Sequence, residues 1–131
     1  MRNLSVTLII TFFLFSLTSF AKWIGVSEGK KGTIFVDPNT IKANGTARFV
    51  WQLYDFTIPQ YESNAMSMKF YTEIECDLKQ YRTLKYATYG LSMGEGDAIN
   101  IRAGDKKWIS IKQNSYGMDL LNVVCLVSPE N

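Results

Sequence analysis

Two apolar faces, each carrying a cysteine, constrain this chain more than any other feature. In Ser67–Asp77, Met68, Phe70, Thr72, Ile74 and Cys76 alternate with Ser67, Lys69, Tyr71, Glu73, Glu75 and Asp77. A period of two marks a half-buried strand. Near the C-terminus, Met118, Leu121 and Cys125 fall on one stripe, with Leu120, Val124 and Val127 beside it. That is helical spacing. Asn114 or Ser115 is placed to cap this helix, and Asp119 sits near the positive end of its dipole. The chain has no other cysteine. Each thiol sits on a face that must be buried, and burying the two faces against each other brings the sulfurs together. Whether they bond depends on the compartment.

The N-terminus sets the compartment. Arg2 precedes a mostly apolar run, 4–17, without a charged residue, and Ser19-Phe20-Ala21 offers small residues where a signal peptidase reads them. This is the pattern of a secretory signal peptide cut after Ala21. The run is shorter than the ~20 residues of a membrane span, and no basic stop-transfer cluster follows at once. No cysteine near the cut offers a lipid anchor. We therefore read 1–21 as a signal peptide and 22–131 as one domain, with no membrane span after signal removal. Removing 21 of the 131 residues leaves 110, enough for a modest core. In an exported protein an even cysteine count reads as disulfides. The one pairing is Cys76–Cys125, with positions 49 apart. Chain entropy assigns such a loop roughly 4 kcal/mol. Two separate buried thiols are the alternative.

The rest of the chain reads as short strands. Trp23–Val26 and Thr33–Asp37 flank a polar turn, and Asp37-Pro38-Asn39-Thr40 begins a short helical turn. Asn44-Gly45 favours a tight hairpin turn into Arg48–Tyr54, where Phe49, Trp51 and Leu53 share a face. Asn44-Gly45-Thr46 also fits a glycosylation sequon, but the turn is the simpler reading. The segment 58–65 contains Pro59 and reads as a loop. Tyr81–Tyr89 is a tyrosine-rich strand. Gly90, Gly94 and Gly96 mark a loop or bulged corner. The segments 98–102 and 107–112 are further strands, with Gly104-Asp105 as turn chemistry between them. The expected fold is α+β: a single antiparallel sheet of about five or six strands, with a C-terminal helix packed on one face and tethered by a disulfide.

Ordinary enzyme machinery is scarce. The chain has no histidine, which removes Ser-His and Cys-His nucleophilic pairs and the usual zinc and haem ligands. Paired cysteines leave no thiolate for catalysis or metal. The glycines lack phosphate-loop spacing. Without Arg2, 13 basic residues face 12 acidic ones, which gives no electrostatic basis for nucleic acid. Glu73, Glu75 and Asp77 share a strand face. Acid–base chemistry or a weak calcium site there competes with a simpler account, cross-strand charge pairing with Lys69, Lys79, Arg82 and Lys85 on a solvated face. We assign no catalytic residue, metal or cofactor.

Tyrosine is conspicuous: Tyr54, Tyr61, Tyr71, Tyr81, Tyr86, Tyr89 and Tyr116 all follow residue 21. Amphipathic rings suit binding surfaces, and they also simply suit strands. Tyr71 is expected on the polar face, joined from the next strand by Tyr81 and Tyr89 or by Tyr86. The candidate binding residues are Lys69, Tyr71, Glu73, Tyr81, Arg82 and Lys85.

In order along the chain come Trp23, "IFVDPNTI" (34–41), "VWQLYDF" (50–56), "SMKFYTEIECDLKQYRTL" (67–84), "MGEG" (93–96), Trp108, and a C-terminal helix ending at a cysteine. This order resembles the surface-adhesin protein E family of bacterial exported proteins. The strongest element is Ser67, Lys69, Glu73, Cys76 and Arg82. The resemblance implies an antiparallel sheet with a helix tethered by a disulfide, and binding of host matrix proteins. The expected function is an exported, non-enzymatic binding module in the periplasm or at the cell surface of a bacterium. Its partner is a host matrix or periplasmic protein, with a homodimer left open. The alternatives are a periplasmic carrier of a small apolar or haem-like ligand in a cleft between sheet and helix, with tyrosine as iron ligand, and a periplasmic accessory or inhibitor protein.

Overall fold

Alternating apolar and polar side chains give β structure from the first described residues onward. The computed structural model describes residues 22–126, so the predicted signal peptide, 1–21, lies outside the described residues. The strands are β1 (Ile24–Gly29), β2 (Gly32–Val36), β3 (Lys42–Asn44), β4 (Ala47–Phe56), β5 (Ser67–Glu75), β6 (Gln80–Tyr89), β7 (Ala98–Ala103) and β8 (Ile109–Ser110). One helix, α1 (Tyr116–Leu126), follows. Every pairing is antiparallel, and the order is β1-β2-β4-β5-β6-β7. Short β3 pairs with the start of β4, and short β8 with the start of β6. The sheet therefore has eight strands instead of five or six. The shortest are β3 and β8, three and two residues long; β8 falls inside the expected strand 107–112, and β3 is the first arm of the expected hairpin at Asn44-Gly45.

Local chemistry closes the turns. Gly45 takes φ +60° between β3 and β4, the conformation the Asn-Gly pair favours. Asp37 ends β2: its Oδ1 accepts from the Asn39 N–H at 3.1 Å, and Pro38 opens a 3₁₀ turn, Pro38–Thr40. Thr40 Oγ1 then accepts from the Trp51 N–H at 3.0 Å, which ties this turn to β4.

The helix lies on the inner face of the sheet. Leu120 and Val124, one turn apart, are fully buried against Val36, Val50 and Ile74. Each such side chain contributes about 1.5–3 kcal/mol by leaving water. Ser115 caps α1, its Oγ accepting from the Met118 N–H at 3.4 Å. An 11-residue helix is marginal alone, so its position rests on tertiary contacts. Two stand out. Cys76, just past β5, is bonded to Cys125 with Cα atoms 6.0 Å apart. At the other end, the Tyr116 hydroxyl donates to Gln52 Oε1 at 2.9 Å, and Gln52 Nε2 donates to Thr72 Oγ1 at 2.6 Å. Gln52 and Thr72 are fully buried, so this chain satisfies groups that are costly to leave unpaired.

Two outcomes test these attachments. Cys125→Ser should lower unfolding stability by roughly 3–4 kcal/mol in a urea titration, and the unreduced protein should show no free thiol. Burial, reinforced by the neighbouring Tyr81 hydroxyl, holds the Tyr116 pKa well above its ordinary 10.0. The folded state therefore keeps this proton where the unfolded chain releases it. Its contribution is full below pH 10 and falls as pH rises beyond. Tyr116→Phe should cost about 1–2 kcal/mol at neutral pH, by unpairing Gln52 Oε1. It should also reduce the loss of stability between about pH 9 and about pH 11, measured by urea unfolding at both values.

Candidate functional site

One residue decides which side chains share a face. β5 and β6 pair in step from Ser67–Tyr89 to Tyr71–Lys85, then from Thr72–Thr83 to Glu75–Gln80. Leu84 is the extra residue of a β-bulge. Because side chains alternate, one extra residue inverts the parity beyond it. Tyr81 and Tyr86, five apart, both take the inner face with Ile74 and Phe70. Arg82, Lys85 and Tyr89 take the outer face with Glu73, Tyr71 and Ser67. The expected grouping of Tyr81 with Tyr89, or Tyr86 alone, beside Tyr71 holds in neither form. Tyr89 is there, and Tyr81 and Tyr86 are opposite.

The outer face brings together Lys69, Tyr71, Glu73, Arg82 and Lys85 from the expected set. Tyr81 leaves it and packs edge-on against Tyr116 on the inner face, ring centroids 6.1 Å apart. Burial raises its pKa. Phe49 and Trp51, from β4, join the set. Tyr71 lies 5.1 Å from Trp51 and 6.2 Å from Phe49, centroid to centroid. Lys85 Nζ stands 5.3 Å from the Trp51 ring and 5.5 Å from the Tyr71 ring. Glu73 accepts from Arg82 Nη2 at 2.7 Å and from its Nε at 3.1 Å. This fork holds the guanidinium 4.3 Å over the Trp108 ring. Such cation–π contacts strengthen where water is partly excluded. Trp108, 40% exposed, enters the sequence reading as part of the family pattern and not as a binding residue. The strand alternation shows that Phe49 and Trp51 share a face. It does not show which face, because that depends on the β4–β5 register.

The outer face is less solvated than expected. Glu73 is 7% exposed and Ser67 fully buried. The charge pairing of Glu73 with Arg82 is present, while Glu75 accepts from the Asp77 N–H at 3.3 Å. The glycine-rich loop closes over one end of the face. Ser67 Oγ donates to the Leu91 carbonyl and accepts from the Gly94 N–H at 2.8 Å. Asp55 Oδ1 accepts from the Met93 N–H at 2.7 Å. Gly94 has φ +65°, and a Cβ there would collide with the Lys69 side chain. The Lys69 side chain occupies that space and carries its Nζ to 4.9 Å from the Tyr89 ring. Among the described residues, no group of three His, Cys, Asp or Glu side chains is placed to hold a metal.

The inner face is only half covered. Beyond Tyr116 a groove of about 1030 Å³ opens, lined by Ile34, Tyr54, Met68, Phe70, Tyr86 and Ile109 among others. The carrier alternative expects a cleft between sheet and helix; this groove lies beside the helix, with Tyr116 the one α1 residue in its lining.

Together these features define a disulfide-tethered sheet-and-helix domain with an aromatic, cationic outer face. Among the described residues, no helix is long and apolar enough to cross a membrane. The chain belongs to the surface-adhesin protein E family, whose model matches residues 23–126. Crystal form II of Haemophilus influenzae protein E superposes with a TM-score of 0.65 at 12% identity, over 81% of this chain and 88% of that one. Another structure of Haemophilus influenzae protein E gives 0.62 at 12% identity, over 81% and 85%. Protein E from non-typeable Haemophilus influenzae gives 0.55 at 13% identity, over 77% and 74%. Likeness at that identity establishes the fold. No curated protein sequence matches the chain.

The loop packing is testable. Gly94→Ala places a side chain at positive φ and against Lys69, and should destabilise the protein by about 1–3 kcal/mol. Gly45→Ala, where a Cβ would meet nothing within 4 Å, should cost less, about 1 kcal/mol from its φ alone. Urea unfolding of the two variants checks the order.

Proposed function

We propose that the protein is an exported, non-enzymatic binding module of adhesin type, whose outer sheet face takes a protein partner. One observation carries the reading: two aromatic–cation groups, Trp51–Tyr71–Lys85 and Arg82–Trp108, lie on the same sheet face, and among the described residues no α-helix lies over them. Aromatic rings and arginine are the side chains from which interface hot spots are built. The Glu73–Arg82 fork holds one of them in a fixed orientation before any partner arrives, which reduces the ordering cost of binding. Family membership supports an adhesive role. It also supports a host extracellular-matrix protein as partner and an exported location with display at the surface.

The experiment is immobilised-ligand binding to vitronectin or laminin. Saturable binding is expected, weakened tenfold or more by the double substitution Tyr71→Ala/Lys85→Ala. Saturable binding that ignores this change would move the site off the outer face. Protease treatment of intact cells, run alongside cell fractionation, should degrade the protein if it is displayed. Protection until the outer membrane is opened would point instead to a periplasmic partner.

A further inference from the structure

The inner-face groove plays no part in the outer-face reading. Beyond the end of α1 at Tyr116, side chains of β2, β4, β5 and β6 are left without a covering element among the described residues. Ile34, Tyr54 and Met68 are cross-strand neighbours, as are Phe70 and Tyr86, so they form one continuous apolar and aromatic floor. Ile109 on β8, opposite Tyr81, adds a wall. The volume, about 1030 Å³, lies at the upper end of the ~300–1,000 Å³ of small-molecule sites.

Charge narrows the ligand. The charged residues among the lining are Glu28 and Asp105, both acidic and both exposed, and no Lys or Arg lines the groove. Arg102, opposite Tyr86 on β7, is exposed and stands outside the lining. An anionic group placed here would lose water without gaining a counter-ion. Ser27 and Thr83 supply hydroxyls for an uncharged polar substituent. A polypeptide fits less well. Strand-like capture needs a free sheet edge; the floor strands β2, β4, β5 and β6 are each paired on both sides, and the end strands β1 and β7 bring only Ser27–Gly29 and Ala103 to the groove.

We propose that this groove binds a small, ring-bearing apolar molecule that carries no negative charge. The aromatic floor supplies stacking surface, and the acidic lining residues Glu28 and Asp105 discriminate against acids.

The test uses two fluorescent probes of similar size and opposite charge character on the purified protein: Nile red, which is neutral, and anilinonaphthalene sulfonate, which is anionic. Nile red should bind saturably at one site, with the anionic dye about tenfold weaker or worse. Ile109→Arg, at a position already 48% exposed and therefore safe for folding, should weaken Nile red about tenfold. Tyr86→Ala should do the same. Failure of Nile red to saturate, equal binding of the anionic dye, or indifference to both substitutions overturns the proposal. So does a dimer in sedimentation that excludes the dye and that Ile109→Arg dissociates, because a second copy would then fill the groove. The dyes report on the groove without any protein partner, so their failure leaves the outer-face reading standing.

Discussion

The rest of the structure depends on how α1 is pinned. The bridge from Cys76 to Cys125 fixes the helix C-terminal end at the end of β5. The hydrogen bond from Tyr116 to Gln52 fixes the other end near the middle of β4. Eleven helical residues span roughly 16 Å at 1.5 Å per residue, whereas a nine-residue strand spans about 30 Å. A helix attached at one end of the strand therefore cannot cover the whole inner face. The groove follows from this mismatch of rises, and a helix tethered elsewhere would leave a different space.

The bulge at Leu84 is the second determinant. Without it, strict alternation from Tyr81 onward would carry Lys85 and Tyr89 to the inner face, and Tyr86 to the outer. With it, Arg82, Lys85 and Tyr89 all stay outside, and Tyr81 and Tyr86 both turn inside. The cationic outer patch and the tyrosine-lined groove therefore arise from the same insertion. The Glu73–Arg82 pair then has a positional role. A buried ion pair often adds little net stability, but a carboxylate gripping both Nε and Nη2 fixes the guanidinium plane over Trp108.

Much of this was legible in the sequence, because the signals were local. Alternation marked β5, Asn44-Gly45 marked a hairpin, Asp37-Pro38 marked a stop, and the two cysteines on matching faces gave the bridge. What was not legible was relational. A bulge leaves no signature in "YRTLKY", so the face of each tyrosine past Leu84 was open. The role of "MGEG" was hidden for the same reason: Gly94 matters because Lys69 and Ser67, 25 and 27 positions away in sequence, lie beneath it. The segment 107–112 and the Asn44-Gly45 hairpin marked where β8 and β3 lie, but their lengths, two and three residues, are set by what β6 and β4 leave to pair with.

The same separation of roles accounts for a fold that persists at 12–14% identity to solved relatives. What holds this domain is a short set of inner positions: Val36, Val50, Ile74, Leu120 and Val124, the Gln52–Thr72–Tyr116 chain, and two cysteines. Cores require apolar volume and pattern more than identity, so most of that set tolerates exchange within its class. On the outer face Leu53 and Ser67 are buried beneath the glycine-rich loop end, while Trp51, Tyr71 and Lys85 stay partly or fully exposed. These three are free to change chemistry while β5 and β6 keep their register. Trp51, Tyr71 and Lys85 therefore say little about how the chain folds, and their coincidence on one open face needs a reason outside folding.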